Sequence, residues 1–132
     1  MAVNEDYVSY ELAKKLKACG FDEPCIAQWA CEPNGKPILV GSTAFVFSNA
    51  ELKGRDVTAP LLYHAQKWLR EKKEIFVEVT SEALHDWDFF VMELDEDANV
   101  GVVRGSEIYP SYEQALSAGI AAALQLLNNQ KG

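Results

Sequence analysis

The densest group of side chains able to do chemistry is His85-Asp86-Trp87-Asp88. Carboxylates at i and i+2 share one face of a strand, and a pair whose surroundings separate their acidities can act as acid and base beside an imidazole. His85, Asp86 and Asp88 are therefore the candidate catalytic residues. The plainer reading, which the sequence favours, makes them the wet end of a strand with Trp87 half-buried. Four further acids, Glu93, Asp95, Glu96 and Asp97, could offer oxygen ligands to calcium, but the EF-hand spacing and its glycine are missing. They read instead as a surface for a partner.

Cys19, Cys25 and Cys31 are odd in number and match neither a paired disulfide framework nor a CxxC motif, which suits a reducing compartment. Zinc would need three or four converging ligands, and Cys25, Cys31 and His64 or His85 lack the usual local spacing. A nucleophile built from Cys31, His85 and Asp86 lacks any specific local signature, so the cysteines read as small packing residues. No GxxxxGK[ST], GxGxxG or GxSxG element occurs. The sequence thus predicts neither metal nor cofactor.

The chain has 132 residues and a formal net charge of -8. Ten basic and nine acidic residues precede Glu74, whereas two basic and eleven acidic residues follow from it, so the charge of the second half is -9. Phosphate recognition depends on Lys and Arg releasing counterions, so this acidic half argues against direct binding of nucleic acid or an anionic membrane. No apolar run approaches the roughly 20 residues that span a bilayer, and the first six residues are polar and acidic, unlike a secretory signal. The expectation is a cytoplasmic protein of one domain, 1–132.

These residues must be positioned by a small set of elements. Ser9 is a helix cap, Leu12, Leu16 and Cys19 recur at helical spacing, and Gly20 ends a helix over 10–19, with Phe21 folding back onto the Leu16 turn. Strands over 26–32 and 38–47, the second open to a break near Gly41, flank Pro33-Asn34-Gly35-Lys36-Pro37, a tight reversal, and 48–56 reads as a connecting loop. Thr58-Ala59-Pro60 predicts a helix start, with Leu61, Ala65, Trp68 and Leu69 on one face. Strands follow over 75–79, 87–94 and 100–104, the middle one apolar on both faces through Phe89-Phe90-Val91-Met92. Ser111 and Gln114 stand at capping-box spacing before a last helix whose middle, 118–123, is small on nearly every side. A slim helix of that kind can lie close to a sheet, the reading ordinary packing favours, or close to its copy in another subunit. The predicted fold is α+β: a mostly antiparallel sheet of about five strands with three helices, in the order α-β-β-α-β-β-β-α.

Ser9-Tyr10-Glu11-Leu12 through Gly20-Phe21-Asp22-Glu23, Ala59-Pro60 through Gln66-Lys67-Trp68-Leu69-Arg70-Glu71, and Tyr112-Glu113-Gln114-Ala115-Leu116 together resemble a group of small uncharacterised proteins of bacteriophage and other mobile elements of gut bacteria. The resemblance spans most of the chain but rests on caps and core positions. It implies a setting, a cytoplasmic accessory protein, and no catalytic residues. Three functions are then open: an acidic, non-catalytic module docking on a basic protein surface, in one form by imitating nucleic-acid charge; a small enzyme using His85, Asp86 and Asp88; and a structural subunit. The apolar residues on both faces of 89–92 favour a homodimer.

Overall fold

In a computed structural model the described residues are 4–41, 45–94, 100–105 and 107–131. The fold is α+β, with three helices and six strands arranged as two three-stranded antiparallel sheets. The expected single sheet of about five strands is thereby corrected, and the observed order is α-β-β-β-α-β-β-β-α. The chain divides into two compact units, Met1–Leu61 and Leu62–Gly132.

In the first unit, α1 (Tyr10–Ala18) starts where the cap predicts: the Leu12 N–H donates to Ser9 Oγ at 3.1 Å. It stops at Gly20, whose φ of +97° lets the Gly20 and Phe21 N–H groups donate to the carbonyls of Lys17 and Leu16. Phe21 is then fully buried. Strands β1 (Ala27–Cys31) and β2 (Pro37–Gly41) form the expected hairpin, closed by the Glu32 N–H donating to the Lys36 carbonyl, with Gly35 at φ +87°. The strand expected over 38–47 ends at Gly41 within the described residues; Phe47 returns as a lone bridge to Cys25, and 42–44 lie outside them.

A third strand, β3 (Val57–Thr58), pairs with the other edge of β1, giving the order β2-β1-β3. Thr58-Ala59-Pro60 is thus extended chain rather than a helix start. The Ala59 N–H donates to the Ala27 carbonyl and the Val8 N–H to the Pro60 carbonyl, so these groups are committed to sheet-like pairing. The second helix, α2 (Leu62–Lys73), begins four residues after Thr58. Two residues are too few to show a period of 2, which is why β3 has no sequence signal.

In the second unit β4 (Ile75–Ala83), β5 (Asp86–Leu94) and β6 (Val100–Arg104) follow one another in an antiparallel meander. Helices α2 and α3 (Tyr112–Lys131) pack on one face, where Ile75, Val77, Phe89 and Val91 meet a core that includes Trp68, Leu69, Ile120 and Leu124. The small middle of α3 has the predicted use: a Cβ on Gly119 would stand 2.6 Å from Val77 Cγ1 and 3.2 Å from Phe89, so only glycine lets the helix approach this closely. Gln66 of α2 donates to the Val77 carbonyl at 2.7 Å, occupying one of the outward-facing groups of edge strand β4.

Candidate functional site

His85 and Asp86 stand at the turn joining β4 to β5. Leu84 and His85 are the turn residues, His85 holds a φ of +68°, and Leu84, His85 and Asp86 are all exposed. A side chain on a tight, convex reversal has solvent on most sides, so nothing there desolvates a carboxylate or holds a substrate. Asp88 is half-buried one turn of the pleat further on. Its Oδ1 accepts from the Phe89 N–H at 2.7 Å and would lie 2.7 Å from a Cβ on Gly105.

The reason for that contact lies in β6. The Gly105 N–H donates to the Phe89 carbonyl, and Tyr109 exchanges two hydrogen bonds with Trp87 at 2.7 and 2.9 Å. Between these two pairings the Phe89 N–H donates to the Asp88 carboxylate. Asp88 is therefore a backbone partner at a break in the ladder, a role that needs its acceptor oxygen.

Around the same end of the sheet the fold collects aromatic rings. Trp87 and Tyr112 meet edge to face with centroids 5.5 Å apart, and Phe89 and Tyr109 lie 6.2 Å apart. The pKa of the Tyr109 phenol is pushed above its ordinary value, first by burial and then by the negative charges of Glu107 and Asp88. Glu107 and Ile108 are exposed, as is Tyr112. At this end of the sheet the exposed acids Asp86 and Glu107 and the half-buried Asp88 lie near half-buried Trp87 and Tyr109 and exposed Tyr112, with Asp88 and Trp87 on opposite faces of β5. Such a surface can hold a guanidinium or ammonium against a ring face while a carboxylate neutralises it.

The other acidic candidates lie elsewhere. Glu93 is half-buried near the opposite end of β5, about 23 Å from Asp86 at the rise of an extended strand, and faces Gly101. Asp95, Glu96 and Asp97 lie outside the described residues. Glu107, Tyr109 and Tyr112 were invisible as site members from sequence, because Tyr109 reads only as the approach to the Ser111 cap and nothing local announces its return to Trp87. Hydrogen bonding from the Gln114 N–H to Ser111 Oγ at 3.1 Å confirms that cap.

Among the described residues no group of three or more His, Cys, Asp or Glu side chains is placed to hold a metal ion. Cys19 and Cys25 are buried and Cys31 is half-buried. Burial pushes the Cys25 thiol up to about 11, outweighing the lowering influence of the neighbouring Thr58 hydroxyl, and the thiol donates to the Glu23 carbonyl, so this sulfur stays protonated and un-nucleophilic near neutrality. Cys31 Sγ lies 3.4 Å from the Tyr10 hydroxyl, in the first unit, and that hydrogen bond is the main cause of the raised pKa of Tyr10.

No described helix is long and apolar enough to cross a membrane. No family model matches the chain, and neither a curated protein nor a solved structure shows significant similarity to it.

Proposed function

We propose that this protein is a non-catalytic interaction module whose acidic and aromatic rim, Asp86, Asp88, Glu107, Trp87, Tyr109 and Tyr112, docks on a basic protein surface. The observation that supports it most is the pairing of Trp87 with Tyr109, which brings acids 19 to 21 residues apart in sequence to one exposed end of a sheet. Rings there supply rigid contact area and the carboxylates supply attraction to Lys and Arg. The resemblance to mobile-element proteins gives the setting of this reading: a cytoplasmic accessory protein that works by occupying another protein.

A nine-residue oligoarginine peptide is a suitable probe. Titrated into isotopically labelled protein, it is expected to shift amide signals of residues 86–88 and 107–112, with affinity falling at least tenfold between about 50 and about 500 mM salt as the Debye length shrinks. The double variant Asp86→Lys, Glu107→Lys should abolish those shifts while leaving signals of the α2 and α3 core in place. Shifts confined to other surfaces, or affinity indifferent to salt, would overturn the proposal.

A further inference from the structure

The face of the second sheet turned away from α2 and α3 carries an ordered pattern. Strand alternation and register place Phe76, Met92 and Val102 in one row across β4, β5 and β6, and Glu78, Phe90 and Arg104 in the next. Phe76, Phe90 and Met92 are only half-buried, Val102 is 53% exposed, and Glu78 and Arg104 are exposed. The Arg104 guanidinium stands 6.0 Å from the centre of the Phe90 ring. An apolar patch is thus bracketed by one acid on the β4 side and one base on the β6 side, about 10 Å apart across two strand spacings.

From this pattern we infer that the face is a homodimer interface, occupied by a second copy of the chain with the two-fold axis parallel to the strands. Such an axis lays β5 over its copy and β4 over the β6 of the other protomer. Glu78 then meets the second copy's arginine, and Arg104 its glutamate, so both ion pairs form at once around stacked Phe90 and Met92. Facing sheets pack about 10 Å apart, a gap that an Arg and a Glu reaching toward each other can close. An axis perpendicular to the strands would set Glu78 against Glu78 and Arg104 against Arg104. The charge pattern therefore selects one of the two symmetric stackings. The same axis brings Asp88 toward its own copy, a like-charge contact at the rim of the footprint that solvent there and the Phe89 N–H bond attenuate.

The footprint is small, roughly 14 Å across three strands and 17 Å along five residues, so it buries only about 500 Å² in total and the dimer is a weak, transient one that forms at high concentration. Sedimentation velocity on the whole chain, from about 5 to about 500 µM, tests it. Wild type is expected to shift from monomer to dimer across that range. Arg104→Glu places four like charges on the interface and should weaken dimerisation at least tenfold, as should Glu78→Arg. The double variant Glu78→Arg, Arg104→Glu restores opposite charges and should return to within about threefold of wild type. Both positions are exposed, so the variants leave the core intact; far-ultraviolet circular dichroism checks this. A chain still monomeric at the highest concentration, an Arg104→Glu variant that dimerises like wild type, a double variant that stays weak, or assembly beyond the dimer would each overturn the inference.

Discussion

Two buried residues show how single side chains hold the first unit together. Asn49 is 6% exposed; its Nδ2 donates to the Phe21 carbonyl at 2.8 Å and its Oδ1 accepts the Thr58 N–H at 2.9 Å, tying the exit of α1 to β3. Asn49→Ala strands both backbone groups without water, so chemical denaturation should show a loss of about 3 kcal/mol. Cys25 acts through its raised pKa. A thiol whose folded value of about 11 exceeds its ordinary value of 9.0 favours the folded state fully below pH 9, and that contribution is lost as pH rises toward 11. Stability should therefore fall by on the order of 2 kcal/mol over that window, and Cys25→Ala should flatten this part of the profile. Asp88 belongs to the same scale: Asp88→Asn keeps an acceptor for the Phe89 N–H, whereas Asp88→Ala leaves it open.

Packing of α3 on the sheet is set by one missing methyl group. Gly119→Ala would gain about 1 kcal/mol of helix propensity but drive its Cβ to 2.6 Å from Val77 Cγ1, a β-branched side chain itself wedged in the core. Overpacking costs about 1–3 kcal/mol, so the net effect should be a loss of stability, read as a lowered thermal midpoint. Gly101→Ala is the control. Its Cβ would meet nothing closer than 3.7 Å, so the midpoint should hold or rise slightly. The change of partner between Gly105, bonded to Phe89, and Tyr109, bonded to Trp87, matters equally, because it leaves the Phe89 N–H to the Asp88 carboxylate.

At the scale of the whole molecule, the described charges of the second unit are spread: Glu93 lies at the end of β5 opposite Asp86, while Lys67, Arg70, Lys72 and Lys73 gather on α2, Lys73 Nζ standing 5.4 Å from the Trp68 ring centre. Each unit carries its own core: Leu12, Leu16, Phe21 and Val57 in one, Trp68, Leu69, Ile75, Val91 and Ile120 in the other. A fragment spanning 62–132 is accordingly expected to fold by itself. Its amide spectrum should show dispersed β-sheet signals; a collapsed spectrum would show that 71 residues bury too little surface alone.

Features carried by a few adjacent residues were legible in the sequence. The Ser9 and Ser111 caps, the Gly20 stop, the Asn34-Gly35 reversal, the strands through Val77, Val91 and Val102, and the slim middle of α3 each follow from local conformational preference or from a period that repeats several times. Tertiary structure alone decided the division into two sheets, the two-residue strand β3, the burial of Asn49 and the meeting of Trp87 with Tyr109. These depend on hydrogen bonds between segments far apart in the chain, and backbone groups carry no residue-specific mark of the partner they will find. The candidate site falls in that second class: His85, Asp86 and Asp88 could be picked out by type, but that they lie at the same end of the sheet as Glu107 and Tyr109 was set by the pairing of Tyr109 with Trp87.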